Sequence, residues 1–192
     1  MTVKKILILC TVMLCCAVVS AQQKLSVSSP DGKLKFTLNV TAETASYAIA
    51  FQKQVLVGNS LLGFSFNSGE FGSNLKVGKV QRRKIDETYD LVVGKVSQAR
   101  NHYNEMVVPL QEKSGPERLI NLVVRAFNDG IAFRYEFPQQ KGWNSYVMYD
   151  EKTQFNLEGN PMALLMYLPG YINSHEGVYN HVRYNEVAKK RL

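Results

Sequence analysis

The chain has 192 residues, 45% of them hydrophobic, which suits one globular domain with an ordinary core. Its formal charge is +7, but the cations are scattered apart from Gln81-Arg82-Arg83-Lys84 and Lys189-Lys190-Arg191. With no helix-turn-helix, zinc knuckle or basic aromatic stripe beside them, they argue against a nucleic-acid partner. The only cysteines are Cys10, Cys15 and Cys16, so the chain beyond them has no disulfide, thiolate metal site or cysteine nucleophile.

At the start, Lys4 and Lys5 precede an apolar run from Ile6 to Val19, and Val19-Ser20-Ala21 offers small residues for cleavage. This is the layout of a secretory signal peptide over residues 1–21, cut after Ala21. A membrane anchor would want ~20 apolar residues, and the run is shorter. After cleavage no membrane association is expected. Export without disulfides indicates the periplasm, or secretion, of a Gram-negative bacterium.

Residues 22–187 read as many short strands. The segments 24–27 and 33–40 are joined by Ser29-Pro30-Asp31-Gly32, whose residue types favour a tight turn. Further strands are predicted at 47–51, 54–57, 61–66, 75–81, 88–93 and 102–110. Polar or Gly/Pro-containing connections separate them. Next come 119–127 and 131–137, flanking Asn128-Asp129-Gly130. That tripeptide marks either a β-hairpin, with Gly130 supplying positive φ, or a bulge within one long strand. Beyond it Ile131, Phe133, Tyr135 and Phe137 alternate with Ala132, Arg134 and Glu136, so one face is buried and the other wet. Segments 146–149 and 153–157 complete the set. No window keeps apolar residues at helical spacing.

Strands this short and this closely spaced predict an all-β fold, a large antiparallel β-sandwich. Phe36, Leu38, Val123, Phe133 and Tyr135 are expected on its inner faces. From Asn160 onward Pro161, Pro169, Gly170 and Gly177 interrupt the pattern, while Tyr167, Tyr171, Tyr179, Tyr184, His175 and His181 crowd together. A loop-rich aromatic end is where binding residues sit on such a scaffold.

Three pieces carry a resemblance to a known family: Ser29-Pro30-Asp31-Gly32-Lys33-Leu34, the run from Asn128 to Phe137, and His175-Glu176-Gly177-Val178-Tyr179. In their order and spacing the chain resembles the N-terminal domain of glycoside hydrolase family 97. The resemblance implies a galactose-mutarotase-like super-sandwich that supports a (β/α)8 barrel and is followed by a C-terminal β domain. It further implies α-glucosidase or α-galactosidase activity on α-linked oligosaccharides, assisted by calcium. By position, Glu176 resembles the glutamate that such domains lend to the calcium. His175 and Tyr179 are the expected substrate-binding residues.

Alternatives stand beside each of these roles. Glu176 and His175 also read as exposed loop residues, and Tyr179, like Tyr171, as interface packing. Asp129 is explained by turn chemistry and Arg134–Glu136 by a pairing on the sheet surface. Glycosidic hydrolysis needs two carboxyl groups ~5–9.5 Å apart, and the resemblance places them on the barrel. No catalytic residue is therefore assigned, and the chain reads as truncated before the barrel, with 188–192 the cut end or the start of a linker. A stand-alone periplasmic carbohydrate-binding sandwich is the competing reading.

Overall fold

The structure, a computed structural model, describes residues 22–187. The expected signal peptide at 1–21 and the segment 188–192 lie outside the described residues.

Four strands form a meander: β1 (Gln23–Ser28), β2 (Leu34–Val40), β3 (Ala45–Phe51) and β4 (Gln54–Leu62), each antiparallel to the next. The β1–β2 turn forms as its residues dictate. Ser29 Oγ accepts the Leu34 N–H at 3.0 Å and donates to Asp31 Oδ1 at 2.6 Å, while Gly32 takes a φ of 75°. Along β2 the side chains of Leu34, Phe36, Leu38 and Val40 are buried and those between them are not, as a period of two requires.

The second large sheet has the order β11–β10–β9–β7, with β8 also paired to β9. Its members are β7 (Leu75–Val77), β8 (Gln81–Asp90), β9 (Gln98–Glu112), β10 (Leu119–Phe127) and β11 (Ile131–Glu136). Strands β5 (Phe64–Phe66), β6 (Gly69–Phe71) and β12 (Met148–Glu151) make a small third sheet. Strands β13 (Met162–Met166) and β14 (Tyr179–Arg183) form a separate hairpin, followed by the one-turn helix α1 (Tyr184–Val187).

The two large sheets share one core. Phe36, Leu38 and Tyr47 from the first sheet join Met106, Val108, Ile120, Leu122 and Val124 from the second, with Phe64, Phe66 and Phe71 of the small sheet at one end. Rings interlock across it: Phe36 stacks on Tyr47 at 5.3 Å, and Phe133 meets Tyr47 edge-on at 5.2 Å. Each large ring removed from water adds a few kcal/mol of apolar burial.

Several expectations need correction. Asn128-Asp129-Gly130 is a hairpin loop, since Ala126 pairs with Ile131 and the Phe127 N–H reaches Gly130 O at 2.8 Å. Gly130 is not among the positive-φ residues, so the turn closes without that device. Val123 is buried, but it lies on the opposite face of β10 from Leu122 and Val124, in a small cleft with Arg125, Ala132 and Arg134. The continuous apolar run of β10 hid its parity.

The predicted strand 75–81 breaks after Val77. Facing Pro109 has no N–H, and the Gly78 N–H bonds Pro109 O at 2.8 Å, so the ladder restarts only at Gln81. The predicted strand at 88–93 stops at Asp90, where a turn closed by Leu91 N–H to Ser97 O begins. Segment 61–66 splits at Gly63. Residues 153–157 run beside β4 without becoming a regular strand, because Gln154 and Ser60 side chains occupy ladder positions. Strands β6, β13 and β14 were not anticipated.

The second sheet also buries a charge. Glu105 on β9 is 2% exposed and accepts Arg83 Nε at 2.8 Å on one oxygen and Arg125 Nε at 2.8 Å on the other. Burial works to raise its carboxyl pKa, but the bonds from Arg125 and Arg83 outweigh it and hold it below the usual range. A depressed folded-state value means stability present above the ordinary carboxylate range and lost as pH falls through the lowered one. Between about pH 5 and 2 a Glu105→Gln variant should therefore lose less stability than the parent chain, measured as the shift of the urea midpoint.

Candidate functional site

The exit segment is built on the β13–β14 hairpin, whose register runs from Met162 opposite Arg183 to Met166 opposite Tyr179. Its base is tied down by Arg183 Nη1 to Asn160 O, the Tyr184 N–H to Pro161 O and the Asn185 N–H to Asn160 Oδ1. Val182 is the buried residue of β14. Residues 167–178 form the long loop between the strands, and its segment Gly170–His175 is folded by one asparagine. Asn173 Nδ2 donates to Gly170 O, and Asn173 Oδ1 accepts the His175 N–H at 2.6 Å. This local bonding holds His175 at a φ of 55°. Gly177 lies over Met166, where a Cβ would sit 3.2 Å from Met166 Cγ.

His175 lines an open cleft of about 450 Å³ together with Met166, Leu168, Pro169, Gly170 and Tyr171. Its Nδ1 is 3.1 Å from Asn173 O. Glu176 and Tyr179 are exposed and do not line that cleft. The structure thus brings His175 and Tyr171 together, and it leaves Tyr179 at the hairpin end and Glu176 on the loop rim. Met166, Leu168 and Pro169 were not singled out from sequence, since a short apolar run between prolines reads as a connection.

Glu176 has neither an ion-pair nor a hydrogen-bond partner among the described residues, which leaves its carboxylate available to a cation. It is nonetheless a single carboxylate. Calcium takes six to eight oxygens, and no group of three or more His, Cys, Asp or Glu placed to hold a metal exists among the described residues. The residues present fit one corner of a calcium shell rather than a complete one.

The hairpin exposes more apolar surface than its own packing needs. Tyr171 and Ile172 are fully exposed, and Leu164, Val178 and Tyr179 are largely so. Arg134 Nη2 bonds Glu136 Oε1 at 2.6 Å on the sheet surface, as expected. The two turns that carry the resemblance also touch, through the Asp31 N–H to Asn128 Oδ1 at 3.0 Å.

Comparison with known proteins gives a consistent answer. The family model described as "Glycosyl-hydrolase 97 N-terminal" matches residues 27–192. A retaining alpha-galactosidase of Bacteroides thetaiotaomicron is 25% identical over 98% of this chain, but the match spans only 28% of that enzyme. Among solved structures, a glycoside hydrolase family 97 enzyme of Pseudoalteromonas sp. strain K8 in complex with acarbose superposes with a TM-score of 0.76 at 29% identity. That alignment covers 82% of this chain and 24% of that one. A beta-arabinopyranosidase superposes with a TM-score of 0.72 at 28% identity, over 82% of this chain and 26% of its own. The chain spans about a quarter of the length of these relatives.

Proposed function

Because this chain belongs to the glycosyl-hydrolase 97 N-terminal family, we propose that it is the scaffolding β-domain of an α-glycosidase whose catalytic carboxylates stand on a (β/α)8 barrel outside these residues. The partial-length match supports this reading: a family described as N-terminal covers this chain, and the alignments span only about a quarter of the longer enzymes. Barrel enzymes gather their chemistry on loops at the C-terminal ends of the barrel strands. The domain's share is then to buttress those loops, with a fold of the galactose-mutarotase-like super-sandwich kind.

The exposed hairpin supports the same reading. Tyr171, Ile172 and Val178 offer an apolar surface that solvent alone does not favour, and the barrel is the partner we assign to it. Glu176 lends one carboxylate to calcium in the assembled cleft, and His175 and Tyr179 face the α-linked oligosaccharide. The matched relatives carry different sugar names at similar identity, so we assign sugar specificity to the barrel and not to this domain. The leader at Lys4–Ala21 supports export to the periplasm or beyond.

Two measurements test this. The chain alone should turn over no aryl α-glucoside or α-galactoside, with or without calcium; calcium-dependent turnover by it would overturn the proposal. In a longer form carrying the barrel, Glu176→Gln should raise the calcium concentration needed for half-maximal activity by about tenfold or more. The same substitution should leave the stability of this domain within about 0.5 kcal/mol of the parent, because the side chain is exposed and unpartnered.

A further inference from the structure

Strand β8 hydrogen-bonds along one side only. It pairs with β9, and no other strand pairs with it among the described residues. All ten of its residues except Ile85 are exposed. An edge of this length presents a row of unpaired N–H and C=O groups that can template another strand.

The order of charges along that edge is unusual. Arg82, Arg83 and Lys84 precede Ile85, and Asp86, Glu87 and Asp90 follow it. Laid antiparallel on a copy of itself with Ile85 opposite Ile85, the strand sets Lys84 against Asp86 and Arg83 against Glu87. Each pair occurs twice. Opposed residues share a face in an antiparallel ladder, and this register respects that: Arg83, Ile85 and Glu87 lie on one face, Lys84 and Asp86 on the other. A two-fold interface demands a surface complementary to itself, and an inverted charge order around a central apolar residue meets that demand. From the β9 side Glu105 holds Arg83, Arg100 holds Asp86 and Asn101 holds Glu87, while Lys84 has no ion-pair partner among the described residues and is the cation a second copy would engage.

We propose that β8 is a homodimer seam, where a second copy of this chain pairs antiparallel about a two-fold axis at Ile85 and joins the β8-bearing sheets of the two copies into one. A single strand seam is smaller than a standard interface of about 1,200–2,000 Å², so dissociation in the micromolar range is expected. The pairs are exposed, so the dimer should weaken with salt.

Sedimentation equilibrium of the chain from Gln22 onward should show a monomer–dimer equilibrium. Lys84→Glu, which sets like charges together twice, should raise the dissociation constant at least about tenfold. Lys84→Glu combined with Asp86→Lys should restore it, with circular dichroism confirming the fold of both. Independently, Ile85→Cys should cross-link as an 85–85 disulfide, since opposed Cα atoms in such a ladder lie ~4.5–5.5 Å apart. The chain beyond Ala21 has no other cysteine, and Tyr89→Cys should not form its counterpart. A monomer at concentrations up to about 1 mM, a dimer indifferent to Lys84→Glu, or equal cross-linking at 85 and 89 would each overturn the seam.

Discussion

An Arg118→Met variant should lose about 3–5 kcal/mol of unfolding free energy, read from urea denaturation, the largest single effect expected for a charged residue in this fold. Arg118 is 1% exposed. Its Nε and backbone N–H both donate to Glu112 Oε2 at 2.9 Å, and Nη2 donates to Glu112 Oε1 at 2.5 Å. The remaining guanidinium hydrogens reach Ser68 Oγ, Gly69 O and Glu70 O at 3.1, 3.0 and 2.7 Å. The group also lies 5.2 Å from the centre of the Phe66 ring. One side chain therefore pins the β9–β10 connection to the β5–β6 turn.

Methionine fills part of the volume but leaves the Glu112 carboxylate with the residue-118 backbone N–H alone and takes the guanidinium from two backbone carbonyls, and a buried charge stripped of its counter-ion is the costly outcome. Arg118→Lys should be nearly as damaging, since a point charge cannot serve carboxylate and carbonyls at once. Pairing Arg118→Met with Glu112→Leu should recover only part of the loss, because the Gly69 and Glu70 carbonyls still lose the guanidinium that ties them to β9–β10. Full recovery in that double variant would show that the ion pair, rather than the turn it holds, carries the energy.

Gly72→Ala should cost about 2–4 kcal/mol in the same assay. Gly72 has a φ of 142°, which side-chain-bearing residues scarcely adopt, and a Cβ there would sit 2.8 Å from Leu62 O and 3.2 Å from Gly63 Cα. Both obstacles are backbone. Gly72 O also accepts the Ala45 N–H at 2.8 Å, so a shift would disturb the start of β3. Gly130→Ala is the matching control. Gly130 sits in the conspicuous Asn-Asp-Gly loop, yet its φ is not positive and nothing lies within 4 Å of a Cβ, so a change under about 0.5 kcal/mol is expected. A reversed ranking of the two variants would refute the geometric argument.

That contrast shows what local sequence can tell. Asn128-Asp129-Gly130 announced a turn and a turn is there, but the glycine that backbone geometry requires is Gly72, in a stretch with no turn signature of comparable strength. Residues of alternating character such as those of β2 and β11 revealed their buried faces directly. β10 did not, because its apolar run exceeds what one face needs and Val123 could be placed only by its neighbours. Nothing in residue type or local spacing separates the buried Glu105, Glu112 and Arg118 from Arg134 and Glu136, which pair on the sheet surface.

The candidate site divides the same way. His175, Glu176 and Tyr179 stood out as residue types in a loop-rich tail, and their shared neighbourhood on one hairpin follows the chain order. Which of them lines the cleft does not, because Asn173 folds the loop and Met166 comes from the opposite strand.

The sequence by itself determined that this chain is all-β, where most of its strands and turns fall, and which family it joins, since alternation and turn chemistry act over a few residues. Only the tertiary structure decided which charges are buried, where Pro109 breaks a ladder and which strand lies at the sheet edge among the described residues. Those outcomes depend on partners 20 to 50 residues away, such as Arg83 on Glu105 and Arg118 on Ser68, and no local pattern records them.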